Sequence, residues 1–179
     1  MNRQPLIINV APNGARRTHA DHPKLPITPQ ELAETAKSCL QAGAAMLHLH
    51  VRDVQGGHTL DVEAYRAAMA AVEKAVGKEL IVQATSEAVG LYRPEQQMAM
   101  VRELRPEAVS LAVREIAPAA SDEPKAADFL AWLVGVGIHP QFILYSPGDI
   151  ARFKDLLERG VVPQRQHFVL YVLGRYSAG

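Results

Sequence analysis

Cysteine is nearly absent from this chain: Cys39 is the single one in 179 residues, which excludes an internal disulfide and suits a reducing compartment. Its neighbours place it on a helix, where a buried structural thiol is expected. Charge of one sign is lacking as well. Nineteen Lys and Arg balance nineteen Asp and Glu, and no basic run interleaved with aromatics marks a footprint for nucleic acid or an anionic membrane. Long apolar runs are missing too; the N-terminal "MNRQPLIINVAP" holds only a few apolar residues in a row, too few for a membrane span or a signal peptide. A cytoplasmic protein with a small-molecule partner is expected. There is no GxGxxG, which removes support for a dinucleotide-binding sheet.

What the chain has is apolar substance and a regular order. At 48% hydrophobic residues it can bury a real core, as one domain or a piece of one. Short apolar runs alternate with amphipathic ones. "PLIINVA" (5–11) reads as a buried strand, and "ITPQELAETAKSCLQAG" (27–43) as a helix opened by a Thr28/Glu31 capping box with Pro29 in its first turn and stopped at Gly43. "AAMLHLHV" (44–51) is a second strand, and 61–77 a helix capped by Asp61 and ended by Gly77. The pairs 79–85 with 93–104, 107–113 with 123–137, and 141–146 with 147–160, the last capped by Ser146, repeat the pattern. A sixth strand covers 167–174.

Strands and helices alternating at this spacing imply a parallel sheet with helical crossovers. Of the two architectures available, an open doubly wound sheet and a closed (β/α)8 TIM barrel, the barrel is favoured. Residues 1–179 are expected to form a single partial barrel domain of six strands and five helices. In a barrel the chemistry sits at the carboxyl ends of the strands. Those ends carry Asn13 and Arg16 after strand one, and His48, His50, Arg52 and Asp53 at strand two. Thr85, Ser86 and Glu87 follow at strand three, Ser110, Arg114 and Glu115 at strand four, Tyr145 at strand five, and Arg175 with Tyr176 after strand six.

The stretch "MLHLHVRD" (46–53) is the most pointed of these. In a strand, alternation puts Met46, His48, His50 and Arg52 on one face, so the two imidazoles enter the same space, a separation suited to two ligands of one Zn²⁺. The competing reading is one satisfied core histidine and one rim histidine donating to a carbonyl. His19, His22 and His58 lie in loops and are expected as surface imidazoles, while His139 precedes strand five and His167 starts strand six, so both fall at the wrong end. Arg52 is read as an ion-pair partner of Asp53 or Glu87, or else as a substrate-carboxylate ligand. Thr85 and Ser86 serve either as a strand-end cap or, with Ser110, as donors to a developing oxyanion. Arg114 and Glu115 are expected on a loop, with Glu115 kept as a pocket residue.

Taken together, "LPITPQELA", "GAAMLHLHVRD", "VQATSEAVG" and "PEAVSLAVREI" resemble the β-keto acid cleavage enzyme family along essentially the whole chain. The resemblance implies a zinc-dependent TIM barrel that reacts a β-keto acid with acetyl-CoA to give acetoacetate and a new acyl-CoA. It implies metal ligation by His48 and His50, catalytic hydroxyls at Thr85 and Ser86, and substrate contacts at Asn13, Arg16, Ser110 and Glu115. A family glutamate after strand one is matched here by Arg16, and one on strand five by Ile143, so a neutral or anionic substrate is expected in place of an amino-substituted one. The family's third metal ligand and acid–base residue would lie beyond Gly179. On that expectation six strands leave two unpaired edges, and residues 1–179 alone would be oligomeric or aggregation-prone and inactive in C–C cleavage. The alternatives are a metal-dependent hydrolase on the same barrel and a truncated, non-catalytic metal-binding fragment.

Overall fold

The computed structural model describes residues 6–164 and 167–174. Arg175 and Tyr176 lie outside them. The chain divides into two compact units, Met1–Thr85 and Ser86–Gly179.

The first unit is a pair of βα steps. β1 (Asn9–Val10) leads to α1 (Pro29–Gln41), then β2 (Met46–Leu49), a small hairpin of β3 (Val51–Arg52) and β4 (His58–Thr59), α2 (Val62–Val76) and β5 (Ile81–Thr85). β1, β2 and β5 are parallel, with β2 in the middle. All four residues of β2 are buried, as befits a parallel strand covered on both faces. Its run of Leu47 and Leu49, neither exposed at all, supplies roughly 1.5–3 kcal/mol of burial per side chain. α1 starts where its capping box sits: the Thr28 side chain accepts the Glu31 N–H, and the Glu31 carboxylate accepts those of Thr28 and Ile27. These N–H donors hold the Glu31 carboxyl below its usual range. Asp61 caps α2 by accepting from Ala64 N–H at 2.7 Å, and Gly77, at φ 63°, ends it.

The second unit contains α3 (Pro94–Leu104), β6 (Ala108–Leu111), the single-turn α4 (Val113–Ile116), α5 (Glu123–Gly135), β7 (His139–Leu144), α6 (Pro147–Glu158) and β8 (Phe168–Tyr171). β6, β7 and β8 are parallel, with β7 central. Ser146 caps α6 through Asp149 N–H at 3.2 Å. An ion network ties the start of α5 to α6: Glu123 meets Arg152 at 2.7 Å and Arg159 at 2.6 Å. Arg159 also meets Asp155.

Several expectations need correction. The strand expected over 44–51 is broken, because β2 stops at Leu49 and the chain after His50 turns into the β3–β4 hairpin, which the sequence reading did not include. The hairpin loop is closed by Asp53, whose carboxylate accepts the N–H groups of Gln55 and Gly57. A side chain at Gly57 would bring a Cβ within 2.9 Å of that carboxylate. β1 is confined to two residues of the expected 5–11 among those described. Arg114 and Glu115 stand on the turn of α4 instead of a loop, and Cys39 is half-buried, not enclosed. No helix among the described residues is long and apolar enough to cross a membrane.

Candidate functional site

In the first unit, the β2–β5 register sets His48 directly beside Gln83. His48 Nδ1 lies 2.8 Å from Gln83 Oε1, and His48 Nε2 lies 3.1 Å from His50 Nε2. The rings meet edge to face at 4.9 Å. Both imidazoles are buried. Burial above all, and then His48, His58 and Arg52, hold His50 well below the usual imidazole value, so it stays neutral. Asn13, also buried, donates to the His50 carbonyl at 3.0 Å and so fixes the backbone where β2 ends.

His58 and Arg52 face each other across the hairpin, and both differ from expectation. His58 is buried, not a surface imidazole, with its ring 5.6 Å from that of His50. His19 and His22 are exposed, as expected. Arg52 has its guanidinium on carbonyl oxygens: Gly56 at 2.8 Å, Gly14 at 2.7 Å and Arg17 at 2.9 Å. It is a clamp between the hairpin and the loop from β1 to α1. The fork geometry of arginine suits this multiple capture, which an ammonium could not reproduce. Arg16, on the clamped loop, is exposed. Thr85 closes β5, is buried, and has its carbonyl held by the hydroxyl of the fully buried Tyr65 at 2.8 Å.

In the second unit, Ser86 directs both its N–H and its hydroxyl to the carbonyl of Ser110, at 3.0 and 3.1 Å. Ser110 is fully buried opposite Gln141. The Glu115 carboxylate accepts the Ala88 N–H at 3.2 Å, and burial, reinforced by Glu87, pushes its pKa up. Arg114 sits 4.0 Å over the ring of Tyr145 and 3.6 Å from Asp149. Burial first, then Glu87 and Glu115, pushes the Tyr145 hydroxyl up to about 12.

Sequence reasoning missed Gln83, Tyr65 and the burial of His58. Gln83 had a signal of its own, a lone amide in the apolar run "LIVQAT". Its partner could be known only from the strand register.

The chemistry of the imidazole pair fits a divalent metal. Two Nε2 atoms 3.1 Å apart are compatible with two ligands of one ion, each at about 2.0–2.1 Å, and a His whose other nitrogen meets an amide oxygen is the usual form of a ligand. Among the described residues, no group of three or more His, Cys, Asp or Glu is arranged to hold an ion.

Among solved structures, the chain is similar to a phosphonomutase from Burkholderia cenocepacia, with TM-score 0.51 and 13% identity over 88% of this chain and 70% of that one. It is similar also to a sialic acid aldolase from Ruminococcus gnavus, with TM-score 0.52 and 13% identity over 97% and 53%. These likenesses define the fold class, α/β of the TIM-barrel type. The chain belongs to the beta-keto acid cleavage enzyme family, whose pattern residues 5–179 match. Its curated relatives include the 3-keto-5-aminohexanoate cleavage enzymes of Acetoanaerobium sticklandii, 29% identical over 98% of this chain and 66% of that protein, and of Fusobacterium nucleatum, 30% identical over 96% and 64%. A 3-oxoadipate:acetyl-CoA acetyltransferase of Cupriavidus necator is 28% identical over 98% and 62%. The chain thus spans somewhat under two thirds of the length of these relatives.

Proposed function

We propose that this chain carries the metal-binding part of a zinc-dependent enzyme that reacts a β-keto acid with acetyl-CoA, giving acetoacetate and a new acyl-CoA. The observation that carries this reading is the buried His48–His50 pair with its nitrogens 3.1 Å apart in a member of this family. A divalent ion held there would supply Lewis-acid charge for a bidentate β-keto acid and its enolate. Neutral imidazoles leave the ion its full charge.

The other residues bind and orient. Asn13 keeps the His50 backbone in place. Thr85 and Ser86 are the proposed catalytic hydroxyls, with the Ser86 hydrogen resting on the Ser110 carbonyl until a developing thioester oxyanion competes for it. Ser110 and Glu115 are proposed to contact substrate. The Glu115 carboxyl, pushed up by burial, already accepts the Ala88 N–H. Arg16 sets the charge preference: its cation favours a neutral or anionic β-keto acid over an ammonium-bearing one. Among the relatives, the names span both kinds, an aminohexanoate and an oxoadipate.

Metal analysis of the purified chain beside His48→Ala and His50→Ala tests the site. About one zinc per chain is expected, and its loss in both variants. Equal metal in all three proteins would overturn the reading. Turnover is proposed for a protein of the relatives' full length carrying these residues, assayed by acetoacetate formation from β-keto acids of each charge. A clear preference for the amino-substituted acid would remove Arg16 from its proposed role.

A further inference from the structure

We propose that Gln83 is a positioning residue that sets His48 for metal binding: its side-chain oxygen captures the Nδ1–H, which keeps Nε2 a lone-pair donor turned toward His50. The inference rests on the reading of His48 and His50 as ligands and adds the group that decides which nitrogen is available.

A neutral imidazole carries one N–H, and the hydrogen bond made by one ring nitrogen settles the state of the other. Gln83 Oε1 stands 2.8 Å from His48 Nδ1. An amide oxygen can only accept, so the hydrogen belongs to Nδ1 and the lone pair to Nε2. The amide itself is held by its surroundings. Gln83 has no exposure to solvent, it is locked beside His48 by the strand register, and Asn9 Nδ2 approaches the same oxygen at 3.5 Å, which favours the amide orientation with oxygen toward the imidazole. The Gln83 Nε2 has no partner among the described residues, so the contacts of Oε1 with His48 and Asn9 are the ones this buried amide makes.

The choice of an amide has its own chemistry. A carboxylate at this position would fix the same tautomer but would add a negative charge beside the ion. An amide orients without altering the charge. The arrangement also makes the two imidazoles unequal. With His48 Nε2 an acceptor, the 3.1 Å contact between the Nε2 atoms requires the hydrogen on His50 Nε2 in the metal-free protein. A zinc ion held by both Nε2 atoms would require that one hydrogen on His50 Nδ1 instead, and would require no change at His48.

The test combines tautomer and affinity. Long-range ¹H–¹⁵N spectra of the metal-free chain, with ¹⁵N-labelled histidine, are expected to show His48 as the Nδ1–H tautomer, and His50 shifting from Nε2–H to Nδ1–H when Zn²⁺ is added. Gln83→Leu should lose the His48 preference and bind Zn²⁺, measured by chelator competition, about 10–100-fold more weakly. Gln83→Glu, which still accepts the Nδ1–H, should restore both, so a loss confined to Gln83→Leu is not a loss of fold. An Nε2–H tautomer at His48 in the unaltered chain, or undiminished Zn²⁺ affinity in a folded Gln83→Leu, overturns the inference alone. No Zn²⁺ binding by the unaltered chain overturns the metal reading, and the inference with it.

Discussion

The two units solve polar burial in opposite ways. Met1–Thr85 surrounds its histidines with neutral partners: an amide oxygen from Gln83 and a further imidazole at His58 beside the rings, and an amide N–H from Asn13 on the His50 main-chain carbonyl. Among the described residues of this unit, the buried Arg52 directs its terminal guanidinium N–H groups to carbonyl oxygens instead of a carboxylate. Ser86–Gly179 works with full charges, in the Arg114–Asp149 contact over Tyr145 and in the Glu123–Arg152–Arg159 network. Neutral donors leave a site that an incoming cation can complete, whereas paired charges are already complete. The first arrangement is suited to binding and the second to holding elements in place.

The contrast breaks most visibly if its neutral side is removed. His48→Ala or His50→Ala should abolish stoichiometric zinc binding, a fall of at least about 100-fold in affinity on losing a first ligand where even an outer partner is worth 10–100-fold, read by dialysis against Zn²⁺. No substitution in the Glu123 network should change zinc binding at all.

Next in size is the carbonyl clamp. Arg52→Ala should destabilise the chain by about 2–4 kcal/mol, because hydrogen bonds to a charged donor are worth about 1.5–3 kcal/mol each and the orphaned carbonyls can partly return to water. Urea unfolding measures it. Arg52→Lys should recover less than half, since an ammonium cannot span three carbonyls.

A subtler contrast is pH. Glu123, held by Arg159 and Arg152, has its carboxyl lowered from the usual 4.5 to about 2. A lowered carboxyl contributes stability that is complete above the unfolded value and lost as pH falls. Stability should therefore decline between about pH 4.5 and pH 2, and Glu123→Gln should flatten that part of the acid-unfolding curve. An unaltered slope in the variant would show that the network does not couple to folding.

The smallest effect is spectroscopic. One tyrosine should ionise near pH 12, against an ordinary 10.0, in an ultraviolet titration, and Tyr145→Phe should remove that late step alone.

Helices were legible in the sequence because their signals are local: Thr28 with Glu31, Asp61, Ser146 and Gly77 each act within one turn of the boundary they mark. The parallel strands were legible as apolar runs, though their ends were not, since a β-ladder ends where its neighbour does. The β3–β4 hairpin escaped because two residues per strand show no period, although Gly56-Gly57 between them was a turn signal. In the site, the phase of His48 and His50 could be read from alternation. Gln83 could not be paired with His48 without the register. The partners of Arg52 had no signature at all, because carbonyl oxygens belong to every residue.

That last point makes the loop between β1 and α1 open to variation. Arg52 grips the main chain at Gly14 and Arg17, on either side of Arg16, and takes no interest in which side chain stands between. A library randomised at position 16 alone should therefore yield mostly folded proteins of differing charge preference. If Arg16 sets the charge preference as proposed, one codon re-addresses the site to another acid while the frame that carries the histidines stays as it is.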